Sequence, residues 1–410
     1  MNMKKYCVIQ LGALRDLLQT KRLIASLLAE GAHVHLCVAA SRLPQAATLY
    51  PETTIHGLQI GTQMDALTAN MSLFEELKQE MYDGVYNLHD TPANFALSTL
   101  FSPEVMYGYW RENGTQRCSE SFIHISRQQG RQSFLNRMDL WAHLAAKPVP
   151  SHTVNPIAMR KGGGIGIVLR DKQGCSLPAD ILAGCINSVC TATREKDVVF
   201  FGNEGDEALV QEVLKHVKEG IAEKAVTNCF ATSLVEDMES ISALNMLITP
   251  NSDLMHVAAH LGVPVNAFFY SSAWVFKDGP YGLGHRVWQV DTSCAPCESD
   301  ANCTDELRCM QIFGGEQFQR FLGGKIDQNY PPDVTGYVSM LDGVGVTYMP
   351  VFGAEEHAAE RLDLRGIAAE FFGITSLSSV TDPVHAASFY KEQDWVLSMP
   401  IRCEEAENGL

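Results

Sequence analysis

Two stretches of this 410-residue chain carry side chains whose type and spacing could do chemistry. The first reads Leu247-Ile248-Thr249-Pro250-Asn251-Ser252-Asp253-Leu254-Met255-His256 and continues to Pro264. Pro250 has no N–H to donate, so it ends a strand. Asn251 or Ser252 can cap the following helix by accepting a hydrogen bond from a first-turn N–H. Leu254, Val257, Ala258 and Leu261 share one helical face. Gly262 suits the residue just past the helix, and Pro264 bars its continuation. A polar turn between a buried strand and a helix N-terminus aims unpaired N–H groups at one point, where an anion such as a phosphate can sit. The same pattern also serves a purely structural β-α unit of an open sheet. The second stretch places Cys294, Cys297, Cys303 and Cys309 within sixteen residues. A C-x2-C pair turns two thiolates toward one point, and four thiolates suit zinc or iron. Such a closed set has no open coordination position, which makes its role structural. Two disulfides or unligated thiols are the alternatives.

The elements that must position these residues follow an α/β rhythm. Tyr6 to Leu11 reads as a strand and Gly12-Ala13-Leu14-Arg15-Asp16 as a turn. Leu17, Leu18, Ile24, Leu27 and Leu28 fall near helical spacing; Gly31 ends the helix, and Val34 to Val38 is the next strand. This is a βαβ unit and implies a parallel sheet. On this reading alone Asp16 is a first-turn acid that complements the helix dipole. Tyr82 to His89 is a further strand, with Asn87, His89 and Asp90 at its carboxyl end, where open α/β sheets place ligands. Lys147-Pro148-Val149-Pro150 reads as a stiff linker. Gly162-Gly163-Gly164 precedes the strand Ile165 to Leu169. No Lys-Ser/Thr follows, so this is a flexible start to a second domain rather than a phosphate loop. The expected organisation is a first domain at 1–150, a second at 151–320 and a C-terminal extension at 321–410. In the extension, Val346–Val351 and Trp395–Met399 read as strands and Glu355–Phe372 as a helix, suited to packing or oligomerisation.

Composition bounds the function. Lys and Arg number 31 against 48 Asp and Glu, a net charge of −17. This disfavours nucleic acid and anionic lipid as partners, and the acidity reads as a solvated surface. No apolar run reaches the ~18 residues of a membrane helix, and the N-terminus leads directly into a strand. The expectation is a cytoplasmic protein without stable membrane insertion. In that compartment twelve cysteines are thiols or metal ligands rather than a disulfide framework.

Taken together, the motifs resemble the family-9 glycosyltransferases, the ADP-heptose:lipopolysaccharide heptosyltransferases. Asn251 to Pro264 is similar to the family's donor signature, Asp-Ser/Thr-Gly-x-Met/Ser-His-Leu-Ala-Ala-x-x-Gly-x-Pro, with Asn251 for its Asp and Asp253 for its Gly. Gly12 to Asp16 is similar to its first loop, Gly-Ala-Leu/Ile-Gly-Asp, with Arg15 for the second Gly. The resemblance runs over roughly residues 6 to 315. It implies a GT-B fold: two Rossmann-like α/β domains facing a cleft, here with a C-terminal extension. It implies inverting transfer of a sugar, heptose first among candidates, from a nucleotide-sugar donor to a lipopolysaccharide, saccharide or protein acceptor. Asp16 would be the general base. Gly12, Asn251, Ser252, Asp253, Met255 and His256 would bind the donor, and Arg170 or Lys172 would replace a lysine that relatives place before a Trp-Pro pair. No catalytic cofactor is called for; some protein-glycosylating relatives hold iron at four cysteines. Family members work at the inner membrane face, and a peripheral position or a homo-oligomer fits the chain. The acidic balance favours a soluble acceptor. Two rival readings are a catalytically inactive GT-B protein binding a nucleotide sugar or partner, and a metal-centred redox protein built on Cys294–Cys309.

Overall fold

A computed structural model describes residues 3–61, 64–126, 132–229, 233–270, 273–292, 294, 303, 305–325, 333–353, 355, 357–374 and 382–390. The apolar runs become strands: β1 (Lys5–Gln10), β2 (His33–Ala39), β3 (Thr54–Leu58), β4 (Gly84–Asn87), β5 (Met106–Glu112) and β6 (Thr115–Cys118). They form one sheet in the order β3-β2-β1-β4-β5-β6, parallel except for the closing β5–β6 hairpin. That hairpin turns on Asn113 and Gly114, both at positive φ, as a two-residue turn matching strand twist requires.

The second sheet holds β7 (Ile165–Val168), β8 (Val198–Phe201), β9 (Val226–Asn228), β10 (Met246–Pro250), β11 (Val265–Phe269), β12 (Arg286–Val290), β13 (Val334–Leu341) and β14 (Val346–Phe352). Its order is β14-β13-β12-β11-β10-β7-β8-β9. β7 to β12 pair in parallel, while β13 and β14 add antiparallel strands at one edge. β4, β7 and β11 are buried along their whole length, as strands covered on both faces must be. In each sheet the strand order reverses once, at β1/β4 and at β7/β10. Those two switch points open crevices at the strands' carboxyl ends.

The lobes are fastened to each other. Leu14, Leu18 and Met138 of the first lobe share an apolar cluster with Met255, Trp274 and Val287 of the second. Beneath it lies a polar hub in which Arg22 donates to Asp139 at 2.5 Å and to the Val344 carbonyl at 2.8 Å. Tyr281 donates to the same Asp139 oxygen at 2.7 Å, and the Val346 N–H donates to the other at 2.8 Å. Asp139 is fully buried, so this complete set of donors is what makes its burial tolerable. A Cβ on Gly345 would lie 2.0 Å from the Asp139 carboxyl, so only glycine lets the β13–β14 turn reach it.

The extension is therefore woven into both lobes. The strand read at Val346–Val351 is β14, and the helix read at Glu355–Phe372 is Ala358–Phe371, which packs on the first lobe. Trp395–Met399 lies outside the described residues. The glycine triplet corrects an expectation: a Cβ on Gly163 or Gly164 would lie 2.4 or 2.5 Å from the carbonyl of Ala243 or Asp197. Close packing, rather than flexibility, selects glycine there. Among the described residues no helix is long and apolar enough to cross a membrane.

Candidate active site

The carboxyl ends of β1 and β4 face those of β7 and β10 across a cleft. It encloses about 540 Å³ between Ala13–Arg15 on one side and Arg170–Lys172, Asp206 and Ser252–Leu254 on the other. On the first-lobe side, Asp16 sits in the first turn of the helix Leu14–Gln19, only 5% exposed. One carboxylate oxygen accepts the Ala13 N–H at 3.0 Å, and the other accepts from Arg137 at 3.2 Å. Each oxygen keeps a second lone-pair direction, so a proton acceptor remains. Gly12 is what lets this carboxylate fold back, because a Cβ there would lie 2.6 Å from it. Gln10 ties the loop down: its Oε1 accepts from Gly12 N–H at 3.1 Å and meets His89 Nε2 at 2.7 Å.

On the second-lobe side, Ser252 caps the helix Asp253–His260, its Oγ accepting the Met255 N–H at 3.2 Å. Thr249 holds that hydroxyl at 2.7 Å. Asp253 projects into the cleft and its carboxylate stands 3.8 Å from the Arg15 guanidinium. Burial pushes the Asp253 carboxyl up, and Arg15 opposes the shift. Arg15 and Asp253 thus face each other as an ion pair. Both polar atoms of the Asn251 side chain, and His256 Nε2, are buried without a partner. Burial lowers the His256 pKa to about 4, so the ring is neutral at pH 7. Met255 has no exposure and belongs to the core, and its N–H is taken by the cap. Arg170 is held by Asp206 at 2.6 Å and by the Gly174 carbonyl at 2.8 Å. The Lys172 N–H donates to the Asn251 carbonyl at 2.9 Å, which ties its backbone to the turn before the helix, and Lys172 lines the cleft.

Three site residues were not singled out by the sequence reading. Arg137, after the capping Asn136, bridges the lobes by donating to Asp16 and to Asp278 at 3.1 Å. Burial pushes Asp278 up, but Arg137, Lys172 and Lys277 outweigh it and hold the carboxyl below its ordinary value. Burial also lowers Lys277. Arg137 and Lys277 join His89, Asp90, Tyr109, Phe134 and Trp141 around a second pocket of about 210 Å³, next to Asp16. Its volume falls below the roughly 300 Å³ at which drug-sized ligand sites begin, so it suits one ring or side chain.

The cysteine cluster is seen in part. Cys294 and Cys303 are exposed free thiols and Cys309 is half-buried; Cys297 lies outside the described residues. The Leu307 N–H donates to Cys303 Sγ at 3.2 Å, across a turn in which Glu306 and Leu307 both have positive φ. Among the described residues no three His, Cys, Asp or Glu side chains gather as a metal site.

Two Rossmann-like sheets whose carboxyl ends face one cleft define the GT-B class of fold. Solved structures agree. A glycosyl transferase family 9 protein from Veillonella parvula is 18% identical with a TM-score of 0.51, over 68% of this chain and 83% of that one. The ADP-heptose lps heptosyltransferase II of E. coli is 16% identical with a TM-score of 0.50, over 75% and 98%. Within that class, residues 187–307 match the sequence model of glycosyltransferase family 9 (heptosyltransferase). The matched segment contains the Ser252 helix. No curated protein matches it.

Proposed function

We propose that the protein is an inverting glycosyltransferase that moves a sugar, heptose first among candidates, from a nucleotide-sugar donor to a saccharide or protein hydroxyl. One observation carries this reading. Asp16 lies buried in the first turn of the helix Leu14–Gln19, whose start at Ala13–Arg15 lines the cleft opposite the Ser252-capped helix, and the family-9 match runs through that second helix. In the reaction, the acceptor oxygen bonds to the anomeric carbon on the face opposite the leaving diphosphate. The carbon–phosphate-oxygen bond breaks, and the acceptor proton passes to Asp16. The leaving diphosphate gathers negative charge where the helix dipole and Lys172 can take it up. The small pocket between the lobes, beside Asp16, receives the acceptor group. ADP in the E. coli relative's donor name makes ADP-heptose the first donor to test.

The test is Asp16→Asn. Release of nucleotide from ADP-heptose should fall roughly 10²–10⁴-fold while ADP still raises the melting temperature. Unchanged release removes Asp16 from the mechanism. Absence of any nucleotide effect on the wild-type protein favours the non-enzymatic reading.

The four cysteines are proposed to hold one structural zinc or iron. The exposed free thiols and the N–H directed at Cys303 Sγ support this.

A further inference from the structure

The extension has a place in the site. The helix Ala358–Phe371 carries two arginines that are 5% and 3% exposed, Arg361 and Arg365. Buried guanidinium groups need partners. Arg365 grips both oxygens of Asp342, at 2.6 and 2.7 Å, and donates to the Phe134 carbonyl at 2.9 Å. Arg361 pairs with Glu355 and donates to the Ser133 carbonyl at 3.2 Å. Its guanidinium also lies 3.7 Å from the centre of the Phe276 ring.

Those contacts lie directly behind the reacting groups. Ser133 and Phe134 line the small pocket, and four residues after Ser133 the chain presents Arg137 to Asp16. Phe276 immediately precedes Lys277, which lines the pocket, and Asp278, which receives Arg137. One side chain therefore touches the back of both walls, one from each lobe. Ile125, Phe134 and Leu135 of the pocket wall also pack with Leu364, Ile367 and Phe389 of the extension.

We propose that Arg361 is a positioning residue for transfer: from behind the pocket it sets the distance between the Arg137-bearing segment and the Lys277–Asp278 segment, and so aims Arg137 at Asp16. The extension is on this view part of the acceptor site. The proposal rests on reading the Asp16 cleft as the place of transfer.

The experiment uses the full chain. Replacing Arg361 alone leaves a buried Glu355 charge, which can unfold the protein. The paired variant Glu355→Met with Arg361→Met removes both charges and keeps the volume. Its amides over 132–142 should exchange with deuterium about tenfold faster, while β10 and β11 exchange as before. Nucleotide release from ADP-heptose should fall about tenfold or more, with ADP affinity unchanged, because misplacement acts on the reaction rather than on donor binding. Arg361→Lys, which keeps a charge and a donor, should recover most of the release. Unchanged exchange over 132–142, or release that falls only in step with ADP affinity, overturns the proposal. A wild-type protein that ignores ADP-heptose would refute the transfer reading, and the exchange measurement would still decide whether Arg361 holds the wall.

Discussion

Asp253 sits where an incoming diphosphate would most feel an extra charge. Its carboxylate stands at the first position of the Ser252-capped helix and engages Arg15 from across the cleft. A diphosphate brought there meets a like charge, and a cation that is already occupied. A like charge within ~4–6 Å is worth about one pKa unit or more, which is about tenfold in affinity. Asp253→Asn keeps the shape, removes the charge and frees Arg15. Calorimetry at low salt should show ADP binding about tenfold tighter in that variant. Weaker binding would instead make Asp253 a direct donor ligand. At this scale the sequence was legible where structure is local: the turn at Gly12, Asp16 in the first turn of the following helix, and Ser252 as the cap. It was illegible where the site is assembled from distance. Arg137 reaches Asp16 over 121 positions and Asp278 over 141. No spacing rule links residues that far apart.

Among the elements, the segment that carries Cys294, Cys303 and Cys309 makes the boldest claim. Cys303 Sγ receives a backbone N–H from a turn built on two left-handed residues that are not glycine. Such residues cost of order 1–3 kcal/mol each unless something fixes them. A metal drawing the thiolates together would supply that constraint. Elemental analysis of the purified chain should therefore find about one zinc or iron per chain, and Cys297→Ser should lower both metal content and melting temperature. Metal-free protein with an undiminished melting temperature rejects the site. Periodicity and caps served well for β1, β2 and the Asp253–His260 helix, since each is decided by its own residues. Gly163 and Gly164 misled because the reason for glycine there is tertiary. The carbonyls that exclude a Cβ belong to Ala243 and Asp197, which the local sequence does not show.

For the molecule as a whole, two lobes and their order could be read from the strand–helix rhythm. The return of the extension to the first lobe could not, because the Asp139 hub and Arg365–Asp342 are contacts between remote segments. Net charge and buried histidines make opposite claims about acid. At −17 the folded chain repels itself, so mild acidification should relieve repulsion and stabilise it. Against this, burial lowers the pKa of His256 and of His285 to about 4, from an ordinary 6.5. Both side chains are under 5% exposed, with ring nitrogens lacking partners. Folded, they stay neutral; unfolded, each takes up a proton as the pH drops through 6.5. Their contribution is complete above that value and is lost as the pH falls from 6.5 toward 4, at up to about 1.4 kcal/mol per pH unit for each histidine. Asp278 and Asp342, held below their ordinary 3.8, lose their contributions only at lower pH, which separates the windows. The histidine term is local and direct, whereas self-repulsion among surface charges is screened by salt. Urea melts between pH 7.5 and 4.5 at about 0.15 M salt should therefore show stability falling below pH 6.5, and His285→Leu should flatten the fall. Stability that rises through this range, or an unchanged slope in the variant, would return the decision to net charge.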